Sequence, residues 1–173
     1  MPSSASSLRI PPDTLDLLRA FCARKVRFLV VGAHALGYWA QPRATGDLDL
    51  FVDPARENAG RVFAALQDFA APLDDLSASD LATPGVVFQM GLPPHRIDLN
   101  TELTGISFDE AWSGHAIMVY ADLELPVIGR AAMIRNKRAT GRPKDLLDLQ
   151  LMAEAESDAD SGTIPEMKRG RRS

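Results

Sequence analysis

The chain has 173 residues, 23 acidic and 19 basic, giving a formal net charge of −4, with 46% hydrophobic residues. That supports one compact core, hardly two, and excludes a surface built as a whole to grip a polyanion. Its one cysteine, Cys22, excludes an internal disulfide, and the absence of a leader pattern or membrane-length apolar run predicts a cytoplasmic protein with no membrane contact.

Residues 1–12 read as a flexible lead-in, 13–156 as the folded domain and 157–173, ending in Lys168-Arg169-Gly170-Arg171-Arg172, as a disordered basic tail. Leu15, Leu18, Phe21 and Cys22 recur at helical spacing, predicting a helix from Asp13 with Asp13 or Thr14 as its cap. The apolar run from Phe28 to Val31, ended by Gly32, predicts a buried strand. A short helix from Ala33 to Ala40 follows, on which His34 reads as a packing or capping residue and Tyr38 and Trp39 as core, with one of the two lining a ligand pocket as the alternative. From Asp47 to Val52 the pattern alternates, so Leu48, Leu50 and Val52 share one strand face and Asp47 and Asp49 the other. The next helix carries Val62, Leu66 and Phe69 inward, and a loop with a short helix near Ser77 to Leu81 comes after it.

Strands at Val86–Met90 and His95–Glu102 form a hairpin through Gly91-Leu92-Pro93-Pro94, with Arg96, Asp98 and Asn100 opposite Ile97 and Leu99. A helix near Phe108–Trp112 and strands at Ala116–Tyr120 and Leu123–Ile128 lead to two helices, near Arg130–Arg138 and Lys144–Glu156, the second opened by Pro143. Asp13, Asp16, Asp145 and Asp148 read as solvated helix positions. The mixture predicts an α/β (α+β) class, with a mixed β-sheet flanked by helices.

Two acids at i and i+2 on a strand point the same way, and their repulsion is costly unless a cation neutralises it. Mg²⁺ (or Mn²⁺) suits such a platform, because it takes a few carboxylates and fills the rest of its shell with water and phosphate oxygens. Asp47, Asp49 and Asp98 are therefore the candidate catalytic and metal-ligating residues. His95 and His115 have no partners at zinc spacing.

The segments Val30-Val31-Gly32-Ala33-His34-Ala35 and Pro42-Arg43-Ala44-Thr45-Gly46-Asp47-Leu48-Asp49-Leu50 resemble the active-site signature of nucleotidyltransferase-fold proteins. Arg96-Ile97-Asp98-Leu99 and the stretch from Asn136 to Leu146 resemble later motifs of the abortive-infection toxin branch and its small bacterial relatives. The resemblance covers roughly residues 26–152. It implies a nucleoside triphosphate such as ATP as substrate, with Gly32 and Ala33 near its phosphates. It also implies Arg43 and Thr45 orienting the loop before the acids, and Lys137, Arg142 and Lys144 meeting phosphate charge. The implied reaction transfers NMP to an acceptor hydroxyl on RNA, protein or a small molecule, and the implied setting is a toxin–antitoxin or phage-defence pair with an antitoxin partner. Where many members have serine after the glycine turn this chain has Ala33, leaving backbone N–H groups for the phosphate. Two other readings use the same residues: a non-catalytic nucleotide- or partner-binding module, and a metal-dependent phosphohydrolase.

Overall fold

The computed structural model describes residues 10–41 and 47–161. In chain order the elements are α1 (Pro12–Ala23), β1 (Phe28–Val31), α2 (Gly32–Trp39), β2 (Leu48–Val52), α3 (Arg56–Asp68), α4 (Ala78–Leu81) and β3 (Val87–Met90). Then come β4 (Ile97–Asn100), α5 (Phe108–Ser113), β5 (Ala116–Tyr120), β6 (Leu123–Val127), α6 (Arg130–Thr140) and α7 (Pro143–Ser161). Six strands form one mixed sheet in the order β3-β4-β2-β1-β6-β5, flanked by helices.

Burial explains the order. All four residues of β1 are buried, so the strand belongs inside the sheet, between antiparallel β2 and parallel β6. On β2, Leu48, Leu50 and Val52 are buried on one face, while Phe51 on the acidic face packs edge-on against Phe108, with ring centroids 5.0 Å apart. The β3–β4 hairpin forms as its turn predicts, and β4 lies parallel to β2, in register. Helix α2 packs on β1 and β2, and α6 packs on α7.

Two expectations need correction. Neither Asp13 nor Thr14 caps α1: the cap position is Pro11, with no side-chain bond, and Pro12 starts the helix with its fixed φ. Helix α7 continues through Ser161, so residues 157–161 extend the helix rather than open a tail. Capping boxes at Ser77 and Ser107 start α4 and α5, each serine accepting from the backbone N–H three residues on. No helix among the described residues is long and apolar enough to cross a membrane.

Candidate active site

The site begins where β1 ends. Val31 sits opposite Asp49 in the β1–β2 ladder, so the chain turns from strand to helix at Gly32 directly beside that acid. Gly32 has a φ of +66°, a conformation other residues adopt at a cost, and a Cβ there would overlap the Asp49 carboxylate. Gly32→Ala should therefore lose about 1–3 kcal/mol of stability, from left-handed strain plus displacement of Asp49. Paired thermal melts of wild type and variant check this; an unchanged melt would mean that the turn relaxes without touching the acid.

Two strands then set the carboxylates side by side. Asp49 and Asp98 are directly paired in the parallel β2–β4 ladder, on strands about 4.8 Å apart. Asp47 lies two residues before Asp49, and its Oδ1 accepts the Arg96 backbone N–H at 3.1 Å. Burial, then the neighbouring Asp98 and Asp47 charges, push the Asp49 carboxyl up to about 6, against the opposing pull of Lys144 and Arg96. Arg96 forks onto Asp98, with Nε to Oδ1 at 2.8 Å and Nη2 to Oδ2 at 3.1 Å, and stands 3.8 Å from Asp47. With the side chains in this arrangement, no three His, Cys, Asp or Glu groups among the described residues form a ready metal-ligating set.

His34 joins the site from behind. It is buried on α2, its ring hydrogen-bonds the Asp47 backbone, and burial holds its pKa below the ordinary value. That bond ties α2 to the start of the acid-bearing strand. Among the described residues its Nδ1 has no hydrogen-bond partner.

The opposite wall comes from α6 and α7, and here the expected solvated acids are corrected. Asp145 is 1% and Asp148 0% exposed, because Lys137 from the last turn of α6 inserts between them. Its Nζ lies 2.8 Å from Asp148 and 3.7 Å from Asp145. Gly141, left-handed at the end of α6, turns the chain so that Asp145 also receives Thr140 Oγ1 and Arg142 Nε, each at 2.8 Å. Burial raises the Asp145 pKa, but the bonds from Arg142 and Thr140 outweigh it and hold the group at about 2.

A folded pKa below the ordinary 3.8 stabilises the fold above that value, and the contribution disappears as pH falls through about 2. Asp145→Asn should thus cost about 2 kcal/mol at neutral pH, with the deficit shrinking below pH ~4. Urea unfolding of both proteins at several pH values tests this. A deficit that stays constant into acid would assign the loss to packing rather than charge.

These walls enclose a cavity of about 580 Å³, within the usual range for small-molecule sites. Gly32, Ala33, Asp47, Asp49, Asp98, Lys137, Arg142 and Lys144 all line it, so these expected site residues meet in one place. Arg43 and Thr45 lie outside the described residues. Tyr38 and Trp39 are not part of the lining; the Trp39 indole N–H instead donates to the Ile128 carbonyl at 2.8 Å. Sequence reasoning missed Arg96 as a site residue, although its place two residues before Asp98 on the same strand face was the available signal.

Charge accounting sharpens the picture. Among the described residues, five carboxylates face four cations around the cavity. Lys137 and Arg142 are engaged by Asp145 and Asp148, while among the described residues Arg96 and Lys144 are the lining cations beside Asp47, Asp49 and Asp98. Among the described residues Lys144 has no carboxylate within ion-pair distance, yet its charge reaches Asp49. An all-oxygen donor set of three neighbouring carboxylates fits a hard divalent cation in kind.

No protein-family model matches the sequence, and no curated protein is significantly similar to it. Solved structures match in shape. The lincomycin-bound lincosamide antibiotic adenylyltransferase LnuA superposes with a TM-score of 0.53 at 13% identity, covering 86% of this chain and 99% of that one. A Thermotoga maritima protein assigned to the nucleotidyltransferases gives a TM-score of 0.49 at 14% identity, over 91% of this chain and 98% of that one. The chain thus has the nucleotidyltransferase fold, a six-stranded mixed sheet flanked by helices.

Proposed function

We propose that the chain is a metal-dependent nucleotidyltransferase that moves NMP from a nucleoside triphosphate, ATP among them, to an acceptor hydroxyl. The observation that carries this is the meeting of Asp47, Asp49 and Asp98 with the Gly32 turn in one cavity. Three carboxylates repel a bare triphosphate, so the site suits that substrate only with Mg²⁺ or Mn²⁺, held by these acids. When bound, the cation offsets phosphate charge and favours departure of pyrophosphate.

The chain's own residues supply the rest. Backbone N–H groups at Gly32 and Ala33, at the start of α2, face the phosphates. Lys144 meets the charge that develops on them, since its ammonium is not spent on an ion pair among the described residues. The acceptor oxygen bonds to the α-phosphorus, the bond to the β-phosphate bridging oxygen breaks, and the hydroxyl proton passes to Asp98. Arg142 stiffens the wall through Asp145, and Lys137 holds α6 to α7.

A small hydroxylated molecule is the acceptor class this reading favours over RNA. The cavity is of small-molecule size, the net charge of −4 gives RNA no long-range attraction, and the adenylyltransferase that shares the fold carries a small-molecule ligand. The motif resemblance also suggests a toxin paired with an antitoxin, and co-purification with the product of a neighbouring reading frame tests that setting.

The decisive experiment incubates the protein with α-labelled nucleoside triphosphates, Mg²⁺ and fractionated small molecules, RNA or protein. Label transferred to an acceptor supports the reading. Release of free NMP or NDP alone supports a phosphohydrolase. Nucleotide binding without either supports a non-catalytic module, a second reading favoured by the grip of Arg96 on Asp98 and by the missing serine at the turn.

A further inference from the structure

Arg96 engages two of the three acids at once. Both Asp98 oxygens are taken by its guanidinium, at 2.8 and 3.1 Å, in the two-pronged geometry that makes arginine–carboxylate pairs strong. Its Nη2 stands 3.8 Å from Asp47 Oδ2, and its backbone N–H donates to Asp47 Oδ1 at 3.1 Å. The geometry has a simple origin, since Arg96 and Asp98 are two residues apart along extended backbone and project from the same face. While that fork is closed, the oxygens a cation needs are occupied, and among the described residues no three acids form a ready metal-ligating set.

Burial separates Arg96 from Lys137. Lys137 is enclosed, with 8% of its side chain exposed, and is fixed between two buried carboxylates. The Arg96 side chain is 31% exposed, so its guanidinium reaches water by rotating about its own stem, and buried Asp98 then takes the incoming cation as its counter-charge. We infer that Arg96 is a resident counter-ion: it compensates Asp98 and Asp47 in the empty enzyme and must be displaced before a divalent cation takes the same oxygens. This rests on the metal site proposed above and adds a competition that the site residues alone do not imply. Cation binding is then an exchange, and the intrinsic affinity of the carboxylates is higher than the affinity measured for the intact chain.

The test measures Mn²⁺ binding to the nucleotide-free full chain, reading free Mn²⁺ by electron paramagnetic resonance, for wild type, Arg96→Gln and Arg96→Lys. Arg96→Gln should bind Mn²⁺ about 3- to 10-fold more tightly, the value of a charge-assisted fork discounted for partial exposure. Arg96→Lys keeps the charge and loses the fork, so it should tighten binding by a smaller factor. Unchanged or weaker binding by Arg96→Gln, alongside clear wild-type binding, overturns the exchange and leaves the metal site standing. No binding by any of the three overturns both. Circular dichroism reports folding; if Arg96→Gln does not fold, Arg96→Lys decides, since equal binding by it and wild type refutes the competition.

Discussion

Asp49→Asn should leave the chain folded, raise its melting temperature and reduce nucleotidyl transfer by on the order of 10³-fold. The loss follows from removing one of three carboxylates at a centre where single electrostatic groups are worth about 10²–10³ in rate. The gain in stability has the same cause seen from the other side. Burial and the adjacent Asp98 push the folded carboxyl up to about 6 from an ordinary 3.8, so the ionised group opposes folding. That opposition is full above pH ~6 and fades as pH falls towards the unfolded value. At pH 7.5 the neutral isostere should stabilise the fold by about 1–3 kcal/mol, each kcal/mol raising the melting temperature by roughly 2–4 °C. Melting curves without added metal, together with the labelled-nucleotide assay, measure both effects. Lower stability in the variant would instead make Asp49 a structural residue and remove the centre of the proposed site. A stabilising substitution that destroys activity is what a site holding unfavourable charge for chemical use should give.

How much of this was legible in the sequence depends on whether the signal was local. The strict alternation from Asp47 to Val52 needs only the two-residue period of a strand, and it placed Asp49 opposite Leu48 and Leu50 correctly. Gly32 announced a turn after a wholly apolar run, and the structure puts it against Asp49. The pairing of Asp49 with Asp98 was not written in either strand, because it depends on β4 joining β2 from beyond a helix-rich connection and on the register of that joint. The clearest misreading was Asp145 and Asp148. Their Asp-Leu surroundings look like those of exposed Asp13 and Asp16, and only the docking of α6 on α7, which brings Lys137 across, distinguishes a buried acid from a solvated one. Arg96 went unassigned for a related reason: a basic residue beside an acid on an alternating strand looks like surface charge until the strand is known to line a cavity.

The same distinction yields the second large effect, in which two nearby lysines part company. Lys137→Met should destabilise the fold by about 3–5 kcal/mol, because Asp148 and Asp145 stay buried after their shared cation is gone. Against a typical total of about 5–15 kcal/mol, that is enough to populate unfolded chains near body temperature. Lys144→Ala should change stability by no more than about 0.5 kcal/mol, since the residue is exposed and its ammonium is outside every ion pair found among the described residues. Its cost should appear in transfer, by on the order of 10²-fold, as the cavity loses a cation that its carboxylates do not engage. Urea unfolding and the labelled-nucleotide assay, run on both variants, separate a lysine that holds the wall from one that faces the substrate. A double substitution, Lys137→Met with Asp148→Leu, supplies the internal control. Removing both charges should recover much of the lost stability, with Arg142 and Thr140 still satisfying Asp145. If the double variant is no more stable than Lys137→Met, the penalty lies in packing rather than in an uncompensated carboxylate. Lys137 would then return to the residues that can meet phosphate.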